Sequence, residues 1–136
     1  MKPFLVWLVL AVLGFGGLAG GYHGYLQDNP RRIAVVVDTS YDMAAVWPRV
    51  EPQLTQIGAA RYSAFSLVTD KRVIHSWQPR LRASLAEPYG PRDFAKLREL
   101  ASAPEITDAE AVVFLTNAPA SDIAPFSGWQ VISLAR

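Results

Sequence analysis

Three oxygen-bearing side chains, Asp38, Ser40 and Asp42, alternate through Val37-Asp38-Thr39-Ser40-Tyr41-Asp42-Met43. Oxygens grouped in this way can hold a hard divalent cation. They can equally cap a helix, accepting its free N–H groups at the positive end of its dipole. A second polar pair, Thr116-Asn117, follows the apolar run 111–115, and Asn117 adds a neutral carbonyl oxygen. Other chemistry is sparse. Cysteine is absent, which removes disulfides, Cys-ligated zinc, thiol catalysis and a lipoprotein anchor. His75 has no second ligand at metal spacing and reads as structural, while His23 lies among aromatics flanking an apolar segment. No Gly-x-Ser-x-Gly, His-Glu-x-x-His or Gly-rich phosphate loop occurs.

The elements that must position these groups follow from hydrophobic pattern. Residues 33–37 (IAVVV) form a short β-branched run between Arg32 and Asp38, the pattern of a strand buried on both faces of a parallel sheet. After Asp42 the period changes. Met43, Val46, Trp47, Val50, Leu54 and Ile57 recur at helical spacing, with Pro48 opening the regular helix and Pro52 bending it. Residues 62–68 and 73–77 read as a hairpin around Thr69-Asp70-Lys71-Arg72. Residues 78–90 read as a loop, and 91–102 as a helix opened by Pro91 and closed by Pro104. Residues 111–115 (AVVFL) are a second buried strand, and 129–134 a last one. The order β-α-β-β-α-β-β predicts an α/β domain, a mostly parallel sheet with helices on both faces. Ligands of such sheets bind beyond the carboxyl ends of the strands, where Asp38–Asp42 and Thr116-Asn117 fall.

The first 26 residues differ in kind. Lys2 is their only charged side chain, and residues 4–26 suffice to span about 30 Å of hydrocarbon as a helix. Trp7 at one end and Tyr22, His23 and Tyr25 at the other suit the two interfaces. Gly16, Gly17, Gly20 and Gly21 would let another helix approach closely. A cleaved signal peptide ending near Ala19-Gly20-Gly21 is the competing assignment; the apolar run exceeds the usual 7–15 residues, which favours retention as a signal anchor. Asn29-Pro30-Arg31-Arg32 ends the segment, so residues 1–28 are expected to form a transmembrane helix and 29–136 an α/β domain. All but Lys2 of the 13 basic residues lie beyond Leu26, against all 12 acidic ones, so the chain past Leu26 is neutral and lacks the electrostatic footprint of a nucleic-acid binder.

The stretch VVVDTSYDM resembles the opening of a von Willebrand factor A-type domain, in which a strand ends in Asp-x-Ser-x-Ser and supplies metal ligands at the top of the sheet. The segment VVFLTNA is similar to a later strand of that family, which ends in Leu-Thr-Asp-Gly. The likeness covers most of 33–136 and implies metal ligands at Asp38 and Ser40, with Asp42 and Asn117 at altered positions. The family's loop threonine has no counterpart, because Tyr89-Gly90-Pro91-Arg92 stands there. This degenerate set implies at best a weak divalent-cation site, and Arg92 could replace the cation by pairing with Asp38 or Asp42. Helix capping without a functional metal, and no resident cofactor, is the expectation.

The resemblance implies a non-enzymatic protein-interaction or assembly module, an accessory subunit of a membrane complex. Its expected setting is a bacterial-type inner membrane, held by residues 4–26, with the domain outside the cytoplasm and another membrane or membrane-associated protein as partner. The alternative is a metal-dependent PIN-type nuclease or hydrolase, a family that also opens on a strand ending in Asp-x-Ser. Asp38, Glu51 and Asp108 would then gather around metal, and residues 62–77 would be helical.

Overall fold

A computed structural model describes residues 2–135. The chain divides into two units, Met1–Pro30 and Arg31–Arg136. The first contains α1 (Lys2–Asp28), 27 residues long and apolar enough to cross a membrane. It stops where the N–H and side-chain amide of Asn29 both turn back to the Tyr25 carbonyl and Pro30 follows.

The second unit is built on a five-stranded mixed sheet: β1 (Arg31–Val37), β2 (Ser63–Thr69), β3 (Val73–Gln78), β4 (Ala111–Thr116) and β5 (Gln130–Ser133). Their order across the sheet is β3-β2-β1-β4-β5. The β1–β2, β1–β4 and β4–β5 pairs are parallel, and β3 returns antiparallel to β2 as the second arm of the expected hairpin. β1 is central, which accounts for its unbroken apolar run. Ile33, Val35 and Val37 face a core with Met43, Val46, Val50 and Leu54, while Ala34 and Val36 face a second core with Phe114, Leu97, Ile106 and Phe126. The second core is aromatic. Phe114 meets Phe94, Phe126 and Trp129 edge-on at centroid distances of 5.7, 5.5 and 5.7 Å, the favoured geometry for ring quadrupoles.

The connections differ in detail from their sequence expectations. The segment after Asp38 begins as a 3-10 helix (Tyr41–Val46) and becomes regular at α2 (Trp47–Gly58), with Pro48 in its first turn and Pro52 inside it. Pro91 does not open the next helix. Asp93 does, accepting the Lys96 N–H at 2.9 Å before α3 (Phe94–Leu100). Pro104 does not merely close that helix but starts α4 (Pro104–Thr107), where its missing N–H costs nothing. The loop 78–90 contains a 3-10 turn (Ala83–Leu85). Between β4 and β5 lie α5 (Ala120–Ile123) and a 3-10 turn (Ala124–Phe126), too short to leave a readable period.

Candidate functional site

β1, β2 and β4 run in the same direction, so the residues that follow them meet at one end of the sheet: Asp38 after β1, Asp70 after β2, and Thr116 and Asn117 at the close of β4. Asp38 and Asp70 are both fully buried. A buried carboxylate must be hydrogen-bonded and paired to remain charged. Each is, in a different way.

Asp38 is served mainly by side chains. Its Oδ2 accepts from Arg92 Nε at 2.8 Å and from Thr116 Oγ1 at 2.8 Å, and its Oδ1 accepts the Ser40 N–H at 3.0 Å. The Arg92 guanidinium continues across the site. Nη2 donates to Asn117 Oδ1, and Nη1 lies 3.5 Å from Asp42 Oδ2. Asn117 Nδ2 closes the ring by donating to the Asp42 carbonyl at 2.8 Å. One planar cation thus gathers Asp38, Asp42 and Asn117 through three of its nitrogens, the pattern of donors that makes arginine suited to several oxygens at once.

Asp70 is served by two backbone amides and two side chains. Oδ1 accepts the Thr39 N–H at 3.0 Å and the Thr39 hydroxyl at 2.8 Å; Oδ2 accepts the Asp93 N–H at 3.0 Å. Lys71 Nζ lies 3.1 Å from both oxygens and 4.7 Å from the centre of the Tyr89 ring. Burial by itself would raise the Asp70 pKa. The Asp93 and Thr39 amides, the Thr39 hydroxyl and Lys71 outweigh it and hold the carboxyl below its ordinary value.

The segment 86–93 is strapped over both carboxylates. Tyr89 N–H donates to the Thr39 carbonyl at 2.7 Å, and Tyr41 N–H donates to the Gly90 carbonyl at 3.0 Å. Gly90 sits at φ +68°, and a Cβ there would stand 3.2 Å from Lys71 Cε, so the strap needs glycine at this turn. The strap carries Arg92 to Asp38 and the Asp93 amide to Asp70.

All four residues singled out in the sequence, Asp38, Ser40, Asp42 and Asn117, lie at this end of the sheet. The helix that follows β1 receives no side-chain cap bond at its N-cap. Ser40 stands at the N-cap of the 3-10 helix but makes no side-chain cap bond, and its buried Oγ has no partner among the described residues. Asp38 turns its oxygens to Arg92, Thr116 and the Ser40 amide. The donor set also disagrees with a resident metal. An orphaned hydroxyl would suit one, but the Arg92 guanidinium already engages the oxygens of Asp38, Asp42 and Asn117. Among the described residues no group of three or more His, Asp or Glu is placed to hold an ion.

Asp38, Glu51 and Asp108 are not brought together. Asp108 lies 4.0 Å from Arg32 at the start of β1, while Asp38 follows its end, about 20 Å away at strand rise. His75 is structural in its contacts. Nε2 accepts the Arg82 N–H at 3.3 Å, which leaves Nδ1 to donate to the Ser76 carbonyl at 2.8 Å. Asp70 is the site residue that sequence reasoning missed. Within Thr69-Asp70-Lys71-Arg72 it looks like a turn residue, and its one distinguishing signal is its place directly after a strand parallel to β1.

Comparison of the chain with family models, with curated proteins and with solved structures gave no match.

Proposed function

We propose that this protein is a membrane-anchored interaction or assembly module without catalytic activity, an accessory subunit of a membrane complex. The carrying observation is where the second unit exposes large apolar side chains. Among its described residues these are Tyr41, Leu85 and Tyr89; Tyr41 and Tyr89 lie on the segments hydrogen-bonded together over the Asp38 and Asp70 carboxylates, and Leu85 immediately precedes the strap. Tyrosine is enriched at protein interfaces because it buries much surface at little entropic cost and keeps a polar tip. Two backbone hydrogen bonds already tie the loops that carry Tyr41 and Tyr89, so little ordering remains to be lost on binding.

The closed Arg92 cluster supports a non-catalytic role, since the oxygens that would bind a cation are engaged by a fixed guanidinium. It also supports reading the domain as a minimal von Willebrand factor A-type fold, with helices on both faces of the sheet and arginine where the family holds metal. In this reading α1 is a retained signal anchor in a bacterial-type inner membrane, and the domain lies outside the cytoplasm. The partner is another membrane or membrane-associated protein, and the near-neutral charge of the chain past Leu26 speaks against nucleic acid.

The test is co-purification from mild detergent using the intact chain, a chain lacking residues 1–28, and a Tyr41→Ala/Tyr89→Ala variant. A partner retained by the intact chain and lost from the tyrosine variant is the expected result. A partner that follows residues 1–28 and ignores the tyrosines would make the helix the contact and the domain a cap.

A further inference from the structure

We infer that the cleft between α2 and the segment 83–87 receives a cationic side chain, arginine or lysine, from the partner protein. The cavity measures about 260 Å³ and is walled by Trp47, Val50, Leu54 and Ala86, with Glu51 and Glu87 also lining it. Neither glutamate side chain has a hydrogen-bond or ion-pair partner among the described residues. The combination is specific in chemistry. An indole wall attracts a cation through its ring face. Two carboxylates supply charge-assisted acceptors. Val50, Leu54 and Ala86 offer an aliphatic surface for the methylene stem of a long basic side chain. The volume lies below the roughly 300–1,000 Å³ of sites for drug-sized ligands, so one side chain fits better than a whole small molecule.

The cleft adjoins the exposed loops. Leu85, 48% exposed, stands between two residues that line the cavity, Ser84 and Ala86, and Glu87 leads into the strap that carries Tyr89 and Arg92. A partner segment that inserts a basic side chain would lay its neighbouring residues across Leu85. Charge decides between occupants: the two unpaired carboxylates favour a basic segment and disfavour an acidic one. This inference rests on the interaction-module reading.

The test uses the full chain in detergent micelles, with ¹⁵N-labelled indoles followed by NMR. The probe is the peptide acetyl-Ala-Arg-Ala-amide; its lysine form and its citrulline form, a neutral near-isostere, are compared with it. A saturable shift is expected in the indole signal that disappears in Trp47→Phe. Affinity should fall about tenfold or more with citrulline and in the Glu51→Gln/Glu87→Gln variant, and should weaken with salt. Glu87→Gln alone, in a loop, provides the same comparison if the double variant folds poorly. Absence of saturation through millimolar peptide, or equal binding of the citrulline form, overturns the inference. So does unchanged affinity in the glutamine variants. If the cation site fails while a partner still depends on Tyr41 and Tyr89, the inference falls and the interaction-module reading stands. If the peptide binds but no partner depends on the loops, the cation site stands and that reading falls.

Discussion

Asp38 and Asp70 end neighbouring parallel strands, are equally buried and each face a cation, yet they are held in different currencies. Asp38 depends on Arg92 and Thr116, side chains 54 and 78 residues away. Asp70 depends on two backbone amides, the Thr39 hydroxyl and the lysine next to it. Backbone amides cannot be exchanged by mutation and cannot rotate away, so Asp70 is a staple that fixes the loops. Two of the three donors to Asp38, Arg92 and Thr116, are side chains and can be replaced one at a time. Asp70 sets the shape of this surface, and Asp38 is the part of it open to functional variation.

The comparison can be broken most directly by removing each carboxylate. Asp70→Ala leaves the Thr39 and Asp93 amides and Lys71 without their common acceptor, and should cost about 3–5 kcal/mol, the range for breaking a buried ion pair. Asp38→Ala should cost less, about 1.5–3 kcal/mol, because Arg92 keeps Asp42 and Asn117 as partners. Urea denaturation of the two variants at neutral pH orders them. Equal losses would mean that backbone and side-chain donors hold these carboxylates alike.

A cation test sharpens the same contrast. A divalent ion present at a hundredfold excess over its Kd would stabilise the fold by about 2.7 kcal/mol. Because Arg92 already engages the Asp38 oxygens, no thermal shift is expected with millimolar Mg²⁺. A shift of several degrees that is lost in Asp38→Ala would show that the guanidinium yields to metal.

Acid should reveal Asp70. Its folded pKa is depressed below its ordinary value, so its stabilisation is fully present above the pKa of the unfolded chain, about 3.9, and is lost as pH falls through the folded pKa. Stability measured downward from about pH 5 should therefore decline, and Asp70→Asn should flatten that decline. An unchanged slope in the variant would assign the acid sensitivity to other carboxyls.

The smallest loss expected from a single substitution is at the strap. Gly90→Ala forces a Cβ into the left-handed region and against Lys71 Cε, and should cost about 1–2 kcal/mol in melting experiments. Loss of partner binding in this variant with stability nearly unchanged would tie the strap's shape to function.

The sequence alone determined what depends on neighbours along the chain. The apolar stretch of α1, the β-branched run of β1 and the apolar run of β4 are legible because length and period are local properties. The clustering of Asp38, Ser40, Asp42 and Asn117 at one end of the sheet followed from strand direction once a parallel sheet was inferred. Only the tertiary structure decided what those residues bond. It gave Asp38 to Arg92, turned a residue of the hairpin connection into the second buried carboxylate, and made Asp93 rather than Pro91 the start of α3. Hydrogen bonds and ion pairs between segments 23 to 78 residues apart depend on which strand ends the topology makes adjacent, and no period in the chain encodes that.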